Sequence, residues 1–301
     1  MSSAAGMTHS FDAPGTANAA LTGTRPFYWS VRREFWENRY LYIAPLAVAA
    51  VTLIGFLIAT LGRALSTANL SQRRAILEGP LDFPENLLMG TAMFVGMYYC
   101  LEALHGERRD RSILFWKSLP VSDVTTVLSK ATIPALLQLI SWATTVVLLF
   151  VMLVFSSLGA AGSGLSVTDL WRHAALLQGS SILLYHLMTL HTLWHAPFYA
   201  WALLVSAWAR RAAILWATVP VVAVVLFERI VFHSSHFAYY LLYRLAGPED
   251  YLAGAHAEHM NGMLPFHPGT FFSSPGLWGG LLFTAICLVL AIRLRRSRVP
   301  L

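Results

Sequence analysis

The sequence predicts an all-α polytopic membrane protein. It has six transmembrane helices, an N-terminal interfacial helix, a cytoplasmic helix between spans two and three, and short extracytoplasmic helices between spans five and six. Three observations predict this. Of 301 residues, 56% are apolar and only 12% charged, about half the charge of a soluble domain. The mean hydropathy is +0.58. The charges sit at the ends of uncharged runs that reach the ~20 residues needed to cross a ~30 Å hydrocarbon core. This composition excludes a soluble globular enzyme, a disordered chain and a disulfide-stapled secreted module.

Residues 1–25 are rich in Ala, Ser, Thr and Gly and lack a hydrophobic signal core, so they read as a disordered tail. Residues 26–301 form the membrane domain. Segment 26–40 (PFYWSVRREFWENRY) sets Tyr28, Val31, Phe35 and Trp36 near helical spacing, with Arg32, Arg33, Glu34 and Glu37 interleaved. It predicts a helix lying in the interface and turning up into span one. The spans fall at about 41–61, 87–104, 131–157, 174–208, 212–232 and 277–293. The Gly/Ser stretch 159–164 reads as a turn. Span four is too long for an upright helix and predicts a tilt or bend, with Pro197 as the kink. The 233–275 loop contains FAYYLLYRL at 237–245, too apolar for an exposed loop, and predicts short helices capping the bundle or dipping into the outer leaflet.

The net charge of +6 would suggest nucleic acid on a soluble protein. Here the basic residues flank apolar spans and set orientation instead. With a cytoplasmic amino terminus, 15 of the 21 Lys and Arg residues fall on the inside, which places both termini in the cytoplasm.

Enzyme motifs are scarce. The two lysines, Lys117 and Lys130, do not follow glycine, so no phosphate-cradling Gly-Lys-Ser/Thr loop exists and the chain is not predicted to be catalytic. Neither a His-Glu-x-x-His helix nor a Gly-x-Ser-x-Gly elbow occurs. Cys100 and Cys287 each lie within an apolar run and read as small core residues. His191 and His195 share a face of span four at ~100° per residue, whereas His186 falls opposite His195, so the three are not expected to meet on one ligand. The pair reads as interhelical hydrogen bonding, as a lining of a transport path, or as a haem or metal site. Gln138, Ser141 and Thr145 in span three carry the same first two readings. Glu228 and Arg229 read as an interfacial pair. His233, His236, His256, His259 and His267 crowd the outer loop near Met260 and Met263, but no metal site is assigned to them.

The most informative stretch is 105–130, HGERRDRSILFWKSLPVSDVTTVLSK. A charged start (Glu107, Arg108, Arg109, Asp110, Arg111) leads into Ser112, Ile113, Leu114, Phe115 and Trp116. Pro120, Val121 and Ser122 follow, with Ser122 or Asp123 placed to cap the helix into span three. A short helix outside the membrane has no core for its apolar residues, which need a lipid surface or a partner protein.

This stretch resembles the permease subunits of ABC-2 type (type V) ABC exporters. Glu107 stands at the family's opening acid, Ser112 and Ile113 at its Thr-Leu, and Pro120, Val121 and Ser122 at its Pro-Val-Ser. Arg111 replaces the usual Gly, and Asp123 takes a usually basic position. The spans, inside termini, interfacial helix and apolar outer loop extend the resemblance over nearly all the chain beyond residue 25. The resemblance implies a permease in the bacterial inner (plasma) membrane that pairs with a second copy or a similar chain. It would dock a separate ABC ATPase subunit, which holds the ATP and magnesium, so this chain has no cofactor of its own. Segment 107–122 would be the coupling helix. Ile113, Leu114, Phe115 and Trp116 would enter the ATPase groove, and Glu107, Arg108, Asp110 and Arg111 would form charge pairs at its rim. The cargo would be hydrophobic or amphiphilic: a lipid-like molecule, an antimicrobial peptide or a drug. Two alternatives stand beside this: a membrane haem or metal enzyme or redox subunit using the span-four histidines, and a non-transporting anchor or sensor.

Overall fold

A computed structural model describes residues 24–64, 83–110, 121–161, 166–247 and 268–297. Among these the regular structure is helical, with no strand. Helix α1 (Thr24–Glu37) passes through a two-residue joint into α2 (Tyr40–Ala64). Then come α3 (Phe83–Arg109), α4 (Asp123–Ala161), α5 (Val167–Ala174) and α6 (Leu176–His186). The last runs into a π-helical stretch, Leu187–Trp194. Helices α7 (Ala196–Trp208), α8 (Ala213–Phe227, with a π turn Glu228–Phe232), α9 (His236–Ala246), α10 (Pro268–Ser273) and α11 (Pro275–Ser297) complete the chain.

Among the described residues, five helical segments are long and apolar enough to cross a membrane: Tyr40–Thr60, Pro84–Arg109, Asp123–Ala161, Ala213–Phe232 and Pro275–Ser297. They carry prolines at Pro45, Pro134 and Pro220 without breaking, as membrane helices tolerate. Helix α4 begins eight residues before the predicted start of span three, at Asp123 rather than 131, so Lys130 lies inside the helix instead of at its flank. Ser122 is its cap, accepting the Thr125 N–H at 3.0 Å. Helix α4 runs to Ala161, so the first three residues of the predicted turn at 159–164 are helical; the remainder lies outside the described residues.

The predicted fourth span is not one helix. Ala175 in left-handed conformation (φ 39°) separates α5 from α6. His195 (φ −87°, ψ −1°) then ends the π stretch. Pro197 stands in the first turn of α7, where its missing N–H costs nothing. The break therefore falls two residues before the proline.

The main core joins five helices through Leu41, Tyr99, Cys100, Leu104, Ile133, Leu137, Leu203 and Ala291. Cys100 and Cys287 are both buried free thiols. Helix α8 contrasts with the rest, since none of its apolar window is buried within the chain.

In the outer loop, α9 is capped by Glu228. Its carboxylate accepts the N–H groups of His236 (2.7 Å) and Phe237 (2.8 Å) and the Ser234 hydroxyl (2.8 Å). Helix N-termini favour such a charge, so Glu228 serves as a cap rather than as the partner of Arg229. Arg244 pins the other end of α9. Its guanidinium donates to the carbonyls of Trp194 (3.1 Å) and Gly276 and lies 4.3 Å from the Trp194 ring centre. Residues 248–267, with His256, His259, Met260, Met263 and His267, lie outside the described residues, as do 1–23 of the predicted tail.

Candidate functional site at the base of the bundle

The site begins on α1. Its aromatic residues were expected on one face, but the structure divides them. Val31 and Phe35 pack on the core while Tyr28, Trp29 and Trp36 point outward, 57–68% exposed. Between the two inward apolar residues sits Glu34, 1% exposed. A buried carboxylate needs a counter-charge and hydrogen bonds, and Glu34 has both. It accepts from Lys130 Nζ of α4 at 2.8 Å, Tyr99 Oη of α3 at 2.7 Å and Arg33 Nη2 at 2.6 Å.

The same bases reach Glu107 at the end of α3. Its Oε1 lies 3.0 Å from Lys130 Nζ and 3.4 Å from Arg33 Nη2. Its Oε2 accepts from Arg295 Nη1 of α11 at 2.6 Å. Arg295 Nε then donates to Asp123 at the start of α4, 2.9 Å away. Three acids (Glu34, Glu107, Asp123) and three bases (Arg33, Lys130, Arg295) thus form one cluster spanning α1, α3, α4 and α11, with the exposed Glu37 joined at its edge through Arg33 at 3.6 Å. Burial opposes ionisation of Glu34, but the charges of Lys130 and Arg33 and the bonds from Lys130 and Tyr99 outweigh it, and its carboxyl is held below the usual carboxylate range.

A second contact lies beside the first. Arg108 donates to the carbonyls of Ser206 and of Ala209 (2.8 Å). The Ser206 hydroxyl accepts the N–H groups of Leu104 (3.0 Å) and His105 (2.9 Å). A cation on the last carbonyls of a helix is a favourable cap, so α7 is tied to the end of α3.

Comparison with protein-family models, with curated proteins and with solved structures finds no match for this chain.

Segment 107–122 is therefore described at its two ends only. Glu107 and Arg108 were expected on the rim of a partner's groove. Both are instead turned into the chain, Glu107 by three cations and Arg108 by the α7 carbonyls. Asp110 is exposed and pairs with Arg109 at 3.2 Å. Arg111, Ser112, Ile113, Leu114, Phe115, Trp116 and Pro120 lie outside the described residues. Val121 is half-buried and Ser122 exposed.

Gln138, Ser141 and Thr145 are all buried on α4. Ser141 Oγ donates to Leu88 O of α3 at 3.2 Å, and Thr145 donates to Ser141 O at 2.8 Å, so two of the three are satisfied within the chain. The Gln138 amide and the Tyr199 hydroxyl face one another, and neither bonds to any other described residue.

His191 and His195 share a face as expected, but the structure also brings His186 beside His191, which α-helical periodicity does not predict. Ring centres of His186 and His191 lie 5.4 Å apart, and those of His191 and His195 5.3 Å apart, the latter pair stacked. The cause is the π stretch. Its turns close on the fifth residue back, as in His195 N–H to Leu190 O at 3.1 Å, so residues five apart come into register. The ladder nevertheless makes a poor metal site. His195 Nδ1 lies 2.7 Å from Leu190 O and Nε2 3.1 Å from Leu245 O, leaving no ring nitrogen for a metal. No group of three or more potential ligands occurs among the described residues.

Sequence reasoning missed Glu34, Lys130 and Arg295 as a site. One signal was present: Glu34 sits between Val31 and Phe35 on what is otherwise an apolar face. Lys130 and Arg295 are indistinguishable in the sequence from the other basic residues that flank apolar spans.

Proposed function

We propose that the chain is the transmembrane permease subunit of an ATP-driven exporter of the ABC-2 type, working in the bacterial inner membrane with both termini cytoplasmic. One observation carries the reading. The two stems of segment 111–120, ending at Glu107 and starting at Asp123, close on the same buried ion cluster, which also grips α1 and α11. A force applied to that segment by a separate ATP-binding subunit would reach four helices together, and through Arg108 a fifth. Buried ion pairs serve geometry better than stability, which suits a junction that must move as one piece.

Two further features agree with the reading. Helix α8 leaves a whole apolar span uncovered, as a subunit surrounded by lipid or facing a second permease copy requires. On this reading the broken α6–α7 run would make the sixth crossing, its irregular backbone at Leu187–His195 being largely buried within the protein. ATP and magnesium would be bound by the partner. The cargo would be a hydrophobic or amphiphilic molecule.

The test is purification of the tagged chain from its native membrane, with the ATP-binding subunit identified by mass spectrometry and its turnover measured. Phe115→Asp and Trp116→Ala are expected to lose the ATPase and its stimulation. An ATPase that stays bound and stimulated in both variants, or a wild-type chain that carries none, refutes the reading.

A further inference from the structure

The outward face of α1 has no role in the ion cluster. Arg32 lies between two indoles on that face, its Cζ 5.1 Å from the Trp29 ring centre and 4.8 Å from that of Trp36. Tyr28 meets Trp29 edge-on at 5.6 Å. Arg32 has no acceptor among the described residues, while the neighbouring Glu37 carboxylate is engaged by Arg33 at 3.6 Å. The opposite face of α1 is pinned through Glu34, so this face is fixed outward. Two residues after α1 the first span starts, and exposed Tyr42, Ile43 and Leu46 carry its lipid-facing surface onward. A cationic, indole-flanked side chain at the mouth of a span lies at headgroup depth.

We infer that Trp29, Arg32 and Trp36 form a binding site for the phosphate of an anionic phospholipid in the adjoining leaflet. The indoles sit among glycerol and carbonyl groups, and the guanidinium offers its N–H edge to the phosphate oxygens. The inference needs the chain to span a membrane but not to be an exporter.

The test uses the full-length chain in nanodiscs of phosphatidylcholine with or without phosphatidylglycerol, reading retained lipid by native mass spectrometry and folding by melting. Arg32→Gln is expected to reduce retained phosphatidylglycerol by about fivefold, the order one arginine supplies at an anionic surface. The Trp29→Ala/Trp36→Ala variant should show a similar loss, and Arg293→Gln, which removes an exposed arginine at the end of α11, a clearly smaller one. Equal retention by wild type and Arg32→Gln overturns the proposal. So does retention of phosphatidylcholine equal to phosphatidylglycerol, or an equal loss in Arg293→Gln.

Discussion

Lys130 is the residue on which the basal cluster turns, because its single ammonium serves both Glu34 and Glu107. Lys130→Met leaves two buried carboxylates short of a cation and should cost about 3–5 kcal/mol, seen as a lower melting temperature in detergent. The Glu34→Gln/Lys130→Met double variant keeps acids and bases balanced and should recover much of that loss. The pH dependence follows from the same geometry. Glu34 is held below the ordinary carboxylate pKa of about 4.3. Its contribution is therefore present above that value and lost as pH falls through the lower folded one. Melting temperature should fall in acid more steeply for the wild type than for Glu34→Gln, with no such difference near neutrality. The cluster was hard to read in the chain because its members are far apart in sequence. Glu34 and Lys130 are separated by 96 positions, and only folding shows that two apparent flanking charges face inward.

At the level of elements, uncharged runs and periodicity located most helices, since span length is set by membrane thickness rather than by fine packing. The histidine ladder was missed for a specific reason. A constant 100° step puts His186 opposite His195, and a π insertion has no signature in residue type. Docking of α9 was equally hidden. It depends on Gly280, where a Cβ would stand 1.7 Å from Arg244 Nη2, whereas Gly279 has open space. Gly280→Ala should destabilise by about 1–3 kcal/mol, as overpacking does. Gly279→Ala should be neutral or stabilising by up to about 1 kcal/mol, the helix-propensity gain of alanine over glycine. Thermal melting of the two variants side by side checks this. Arg244→Ala removes the pin altogether, and faster amide exchange confined to α9 and the first turn of α11 is the expected result by mass spectrometry.

On the scale of the whole molecule, the described helices form a bundle with its buried ion cluster at one end, where Glu107 and Asp123 flank segment 111–120. Composition announced the membrane class, and the resemblance in 107–122 suggested a docked motor. What neither could show is that Glu107 and Arg108 are engaged within the chain, by Lys130 and Arg295 and by the α7 carbonyls; on the proposed reading, the outside contact would then fall to the apolar residues Ile113, Leu114, Phe115 and Trp116. If that stretch is pushed, the base of the bundle is expected to move as one unit. The most direct test is a photo-crosslinking amino acid placed at Phe115 in the native membrane, with adducts identified by mass spectrometry. The expected result is a covalent adduct to an ATP-binding subunit; adducts confined to lipid or to this chain's own helices would refute the coupling role.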